Sequence, residues 1–260
     1  MISPILLAVG LFDFLCRRPR SIERTLWEHT ISSTPLLSDL SVEERGRLKE
    51  FSETLLSTKQ VIVSDGPAAE PGELVVVAAT CSLPILELGT RWYRGWSTIV
   101  LFPDVYRRTW TEEDEFGVVS EYEGDVEGEV LEYGSIIIAR RRIRARSSSV
   151  IIHEMAHQLD RLSGEINGIP PLPPEMNSKT WVDTLDTRLE ELRRQLDHGR
   201  RTALDAYAGE SREELFAVAS ERFFTEPAVL RRLMPDVYEL LSAFYRQDPA
   251  ARRRKRNNTR

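Results

Sequence analysis

Five residues, His153-Glu154-Met155-Ala156-His157, constrain this chain more than any other stretch. On an α-helix, side chains four apart share a face, so His153 and His157 can present their imidazoles to one point while Glu154 sits about 100° to the side. That arrangement suits a hydrolytic zinc site. Two imidazoles and a third protein ligand take three corners of a tetrahedron and leave the fourth to water. The metal lowers the pKa of that water, and the adjacent carboxylate takes its proton and later delivers it to a leaving amine. The chain has only four histidines, His29, His153, His157 and His198, so this spacing is a rare accident if it is one. On a helical wheel Ile151, Met155, Leu159 and Leu162 form an apolar stripe nearly opposite the two histidines, which sends one face to a core and the other to a cleft. A solvated or hydrogen-bonded histidine pair is the alternative.

The chain has 260 residues, enough for one good core, and shows no Gly/Ser linker or repeat that would divide it. Its formal net charge is −6 and its pI near 5.5, which describes a mildly acidic globular protein and argues against a general nucleic-acid binder. Cys16 and Cys81 are not spaced as metal ligands, so a reducing compartment, the cytoplasm, is the expected home. Residues 1–20 stand apart. Ile2 to Cys16 is apolar and is followed by Arg17, Arg18 and Arg20. The run is shorter than the about 17 to 25 residues of a spanning helix, and it lacks a positive leading region and a small-residue cleavage site. A first helix packed on the domain is expected; membrane contact through residues 2–16 and a secretory signal are the less favoured alternatives. Residues 21–248 form the expected domain. Residues 249–260, with Arg252-Arg253-Arg254-Lys255-Arg256, read as a solvated, disordered basic tail, with an acidic partner or a membrane surface as the sharper alternative.

Within the domain, Ser21 to Leu56 reads as two helices, the second opened by a Ser41/Glu44 capping box. Val61 to Val63, Leu74 to Ala79, Ser97 to Phe102 and Ser135 to Ala139 read as strands, and Ser82 to Leu88 as a helix. Aromatic residues Trp92, Tyr93, Trp96, Phe102 and Tyr106 are expected to be core or wall. The acidic stretch Glu112 to Glu132 reads as an exposed, partly irregular excursion. Gly134 to Ala139 is the candidate edge strand for pairing with an extended substrate, an ordinary interior strand being the alternative. Ser147 to Ser149 can cap the histidine helix. Gly164 to Pro174 must be a loop, either a plain connection or a wall of the cleft. Ser178 to Gly199 reads as a long helix with His198 at its end.

A third ligand is expected from the following helix, Glu210 to Phe224, where Glu214 and Glu221 share a face. Spacing leaves the choice open. Ser211-Arg212-Glu213-Glu214 is itself a capping box that would turn Glu214 back onto its own helix, and Glu213, Glu221 and Asp160 remain candidates. Asp160, near His157 on the same helix, suits a hydrogen bond to a ligating imidazole better than a metal corner.

Several blocks together carry a family resemblance. They are Leu88-Gly-x-x-Trp92-Tyr-Arg-Gly-Trp96, Val150-Ile-Ile-His-Glu-x-Ala-His-x-Leu-Asp160, Asn167-Gly168-x-Pro170-Pro171-Leu172, and Ala206-Tyr207-Ala208 through Glu214-x-Phe216-Ala217-Val218-x-Ser220-Glu221-x-Phe223-Phe224. The combination resembles the MtfA-like (Mlc titration factor A-like) zinc metallopeptidases, whose catalytic core is similar to the protease domain of anthrax lethal factor. The resemblance implies a mostly helical α+β, zincin-like domain with a small mixed sheet and an active-site helix crossing under it. It implies one Zn²⁺ per chain held by His153, His157 and Glu214, with Glu154 activating water and Tyr207 steadying the oxyanion. An aminopeptidase-like activity on small peptides is the implied function. The alternative is a binding protein that sequesters a transcriptional repressor. Val130-Leu131 departs from the family pattern, where an aromatic is common.

Overall fold

The computed structural model describes residues 21–258 apart from 65, 104–105, 114–118, 127, 132–134 and 145–148; for 106–131, 142, 144 and 254–258 it describes the backbone alone. The apolar N-terminal run and most of the expected Ser147 to Ser149 cap lie outside the described residues.

The chain opens with α1 (Arg24–Ser33) and α2 (Val42–Thr58). Ser41 Oγ accepts from the Glu44 amide while the Glu44 carboxylate accepts from the Ser41 amide at 2.8 Å, so the capping box forms as expected. Next come β1 (Gln60–Val63) and α3 (Pro71–Ser82). Here Leu74 to Ala79 is helical, not a strand. Pro71 opens the helix at a position where its missing N–H is no loss, and Glu73 Oε2 accepts from the Glu70 amide at 3.0 Å. The helix is apolar over most of its surface because most of it is buried, which erases the periodicity that would mark it. Ser82 to Leu88 is not a separate helix. Ser82 ends α3, Pro84 prevents its extension, and turns follow.

A 3-10 turn at Thr90–Tyr93 leads to β2 (Thr98–Phe102), β3 (Tyr106–Glu113), β4 (Val119–Val126), β5 (Gly128–Leu131) and β6 (Ser135–Ala139). The main sheet has the order β1-β2-β6-β5, the first three strands parallel and β5 antiparallel. It is thus mixed, as expected, but β6 is an interior strand. Ile136, Ile137 and Ile138 are buried on both faces, and the edge beside β6 is β5. The acidic excursion also departs from expectation: β3 and β4 pair antiparallel from Tyr106↔Val126 to Glu113↔Val119. Acids at Glu121, Glu123 and Asp125 alternate with Tyr122, Gly124 and Val126, the period of a strand rather than of irregular chain.

Beyond the short α4 (Arg140–Arg144) lies the histidine helix α5 (Ser149–Arg161), followed by α6 (Ser178–Asp197), a 3-10 turn at Ala206–Gly209, α7 (Arg212–Thr225), α8 (Pro227–Leu233), α9 (Pro235–Tyr245) and α10 (Pro249–Asn258). Helix α5 packs on α7, on α3 and on the β5–β6 end of the sheet. Behind α7 the aromatic core is built from Trp181, Phe216, Phe223, Phe244 and Tyr245, all fully buried. Their edge and stacked contacts have centroids 4.9–6.5 Å apart, and Tyr245 donates to Ser220 Oγ at 2.8 Å. The C-terminal segment corrects the expectation of a disordered tail. Asp248 caps α10 through the Ala251 amide at 2.9 Å, Ala250 is buried, and Arg252 and Arg253 pair with Glu44 and Asp39. The basic run therefore begins on a helix docked against the start of α2.

Candidate metal centre

Helix α5 delivers His153 and His157 from one face while Ile151, Met155 and Leu159 are wholly buried on the other. The two Nε2 atoms face each other at 3.1 Å. Glu214 completes the set. Ser211 caps α7 by accepting from the Glu214 amide at 3.3 Å, but no return bond forms from the Glu214 side chain. That carboxylate instead reaches across to α5, with Oε2 3.2 Å from His153 Nε2 and Oε1 3.4 Å from His157 Nε2. One donor atom from each of the three residues lies within 4.8 Å of the others, and no other such group of His, Cys, Asp or Glu occurs among the described residues. The spacing accommodates a metal ion. Ligands about 2.0–2.1 Å from a tetrahedral metal stand about 3.3–3.4 Å apart, close to the three separations here.

The electrostatics of these side chains favour a positive charge among them. Glu214 is held down to about 2: burial alone would raise it, and contacts with both imidazoles outweigh that. His153 shows the reverse balance, burial opposing its charge and Glu214, Glu221 and Glu154 raising it to about 10. Glu154 is 2% exposed, and burial lifts its carboxyl to about 7 against the pull of the two imidazoles. Glu154 Oε2, Glu214 Oε2 and His157 Nδ1 are buried without a hydrogen-bond partner. Buried donors and acceptors left this way are expensive in a closed core, and a cation bound at the two Nε2 atoms and the Glu214 carboxylate would satisfy Glu214 Oε2.

Tyr207 stands at the rim, on the 3-10 turn that Asp205 caps by accepting from its amide at 3.0 Å. It is 45% exposed, an unusual degree for a large aromatic, and its ring centroid is 6.0 Å from that of His153. Burial of its hydroxyl and the charges of Glu214 and Glu210 raise its pKa, so the phenol keeps its proton. All five expected site residues thus meet at one place.

The other ligand candidates separate. Glu221, one helical face along from Glu214, accepts from His153 Nδ1 at 2.9 Å; it orients the ring rather than joining the cluster. The sequence carries one signal of this role, the seven-residue spacing to Glu214, and spacing alone does not assign it. Asp160 does not make the expected bond to an imidazole. Its Oδ2 accepts from the Gly168 amide at 2.6 Å, and its Oδ1 and His157 Nδ1 both lack partners. The Asn167-Gly168 block is a strap between helices. Trp181 Nε1 donates to the Gly168 carbonyl at 2.7 Å and Arg212 donates to the Asn167 carbonyl at 3.2 Å. At Gly168 φ is +78°, and a Cβ would come within 2.9 Å of the Arg212 backbone, so glycine is required twice over. His198 caps the end of α6, far in role from the metal set: its Nδ1 lies 2.6 Å from the Arg194 carbonyl.

Comparison with known proteins agrees with this geometry. The model of the family described as glucose-regulated metallo-peptidase M90 matches residues 15–246. The chain is 30% identical over 249 residues to Mlc titration factor A of Yersinia pestis (strain Pestoides F), covering 93% of this chain and 92% of the relative. The figures are the same for Mlc titration factor A of Yersinia pseudotuberculosis (strain YPIII). Motif, fold and sequence match over most of the length converge, and the chain belongs to the glucose-regulated metallo-peptidase M90 family.

Proposed function

We propose that this protein is a zinc-dependent peptidase acting on small peptides in an aminopeptidase-like manner. The observation that carries the reading is the capture of Glu214 by the two imidazoles in preference to its own capping box. His153, His157 and Glu214 would hold the metal, and two imidazoles with one carboxylate are a donor set that suits zinc. A bound zinc ion would supply Lewis acidity, polarising a peptide carbonyl and lowering the pKa of water. Glu154, buried one residue from His153, takes the proton from the attacking water and returns it to the leaving amine. Its raised pKa leaves it close to the range where it can do both. Tyr207 donates its phenol proton in a hydrogen bond to the carbonyl oxygen as negative charge develops there. Glu221 holds the His153 ring in place. The outer side of β5, an edge strand near α5, offers main-chain pairing to an extended peptide.

Metal content and two variants test the reading. Purified protein should carry about one zinc per chain, lost or much weakened in Glu214→Ala. Glu154→Gln should keep the zinc and lower peptide hydrolysis by at least about 10², while Tyr207→Phe should lower it by about 10² to 10³ without loss of metal. Full peptidase activity in Glu154→Gln would overturn the mechanism. Peptides with free and acetylated N-termini decide the finer point: equal turnover would remove the aminopeptidase assignment.

A second reading rests on the name of the relatives. A titration factor acts by contact, and a transcriptional regulator is the partner class that name suggests. Such contact would survive Glu154→Gln, so binding retained with hydrolysis abolished separates the two roles. No described helix is long and apolar enough to cross a membrane. A cytoplasmic setting is proposed from the low cysteine count and from Cys81, free and buried.

A further inference from the structure

Two of the blocks that carry the family resemblance contribute no residue to the metal centre. They are Leu88-Gly-x-x-Trp92-Tyr-Arg-Gly-Trp96 and the run through Pro171-Leu172. The fold brings them together around a second cavity of about 430 Å³ just beyond the C-terminal end of α5. Its walls are apolar, from Leu88, Trp92, Leu162 and the 171–174 segment, and its charged groups are Arg91, Arg94 and Arg246. His153, Glu154, His157, Tyr207 and Glu214 take no part in it.

Three observations give this cavity a ligand chemistry. The first is uncompensated charge. Among the described residues no acid lines the cavity and no carboxylate pairs with Arg91 or Arg94; the Arg94 Nε donates to the Arg91 carbonyl at 3.0 Å. Among the described residues Arg246 pairs with Glu175 alone, at 2.8 Å and on the outside, where that acid is 61% exposed. The chain carries more acids than bases, 41 against 35, so acids were at hand to neutralise them. The second is an orphaned donor. Trp92 is 8% exposed, yet its buried Nε1–H has no acceptor. The indole ring lines the cavity, and the donor left buried behind it without a partner costs about 1–3 kcal/mol. The third is backbone strain. Arg246, the C-cap of α9, is the one non-glycine among the described residues with positive φ, at 55°. Glycine would sit there without penalty, and an arginine in a left-handed conformation points to a use for its side chain.

We propose that this cavity is a second binding site, for a small anion with an apolar body. Its carboxylate or phosphate is held by Arg91, Arg94 and Arg246, and its body lies against Trp92, Leu88 and Leu162. Guanidinium groups match both head groups by paired hydrogen bonds, and a cavity of this size suits a single small molecule. The inference does not depend on peptide hydrolysis.

The test is a titration of ¹⁵N-labelled, zinc-loaded full-length protein with phenyl phosphate and, separately, 3-phenylpropionate, following the five tryptophan indole N–H signals. Trp92 is assigned by its loss in Trp92→Phe. The expected result is a saturable shift of the Trp92 signal with at least one probe, the tighter of the two naming the head group. Arg91→Gln/Arg94→Gln should weaken it at least tenfold and Arg246→Gln severalfold. The other indole signals and the zinc content should stay as in the parent, which excludes misfolding of the variants. No saturable Trp92 shift at millimolar probe, unchanged affinity in the arginine variants, or an equal response to uncharged 3-phenylpropanol would each overturn the proposal.

Discussion

Glu214 has two uses open to it in the sequence, and only one can be satisfied. As the third residue of α7 it could bond back to Ser211, an exposed contact worth about 1 kcal/mol. Turned outward, it meets two buried imidazoles. The larger electrostatic gain wins. Glu221 is the supporting case. Its contact with His153 Nδ1 fixes the tautomer that leaves Nε2 for a metal, so Glu221→Ala should weaken zinc affinity about 10- to 100-fold, and Glu221→Gln, which keeps an acceptor, should recover part of it. Competition with a chelator of known affinity measures both; unchanged affinity in the alanine variant would rule out the orienting role. Asp160 carries a pH dependence instead. Burial raises its carboxyl from the ordinary 3.8 to about 6, despite the amides of Gly168, Ile169 and Asn167 that favour the ionised form. The fold thus holds this proton more tightly than the unfolded chain, a contribution complete below about pH 4 and lost as pH rises through about 6. In the metal-free protein, stability relative to Asp160→Asn should fall by up to about 3 kcal/mol between about pH 4 and 7. Parallel unfolding curves for the two would show that this group does not titrate in that window.

At the scale of elements, the contrast between two glycines isolates what the Asn167-Gly168 strap does. Gly46 lies inside α2 with nothing within 4 Å of the point where a methyl would stand, whereas a methyl at Gly168 meets the Arg212 backbone at 2.9 Å and also requires positive φ. Gly46→Ala should therefore stabilise the protein by about 0.5–1 kcal/mol, and Gly168→Ala should destabilise it by about 3 kcal/mol. Denaturant unfolding of both variants checks the pair; a neutral Gly168→Ala would mean that the strap gives way easily. Much of this level is legible in the sequence. The Ser41/Glu44 box, the long amphipathic α6 and the His-bearing α5 declare themselves through caps and a 3.6-residue period. Helix α3 does not, because a helix buried on nearly all sides has no polar face to betray its period, and its Val75-Val76-Val77 run suits a strand equally well.

At the scale of the whole molecule, the C-terminal helix ties the end of the chain to its beginning. Arg252 and Arg253 pair with Glu44 and Asp39 at the start of α2, both ion pairs lie partly out of solvent, and Ala250 is packed beneath them. Truncation after Asp248 should cost about 2 kcal/mol and lower the melting temperature by several degrees. A solvated tail would leave the melting temperature unchanged. A second connection, of shorter reach, is the buried Arg140–Glu73 pair at 2.5 Å, which joins the end of β6 to the first turn of α3.

By itself the sequence determined the histidine-bearing helix, its two imidazoles and its adjacent carboxylate, because all three are fixed by spacing on one element. It also determined the starts of α2, α6 and α7, because capping is local chemistry. The tertiary structure decided which carboxylate among Glu213, Glu214, Glu221 and Asp160 stands with the two imidazoles, the interior place of β6, the docking of α10 and the meeting of three arginines in one cavity. Each of these depends on groups far apart in the chain, whose energies compete only after the chain has brought them into contact.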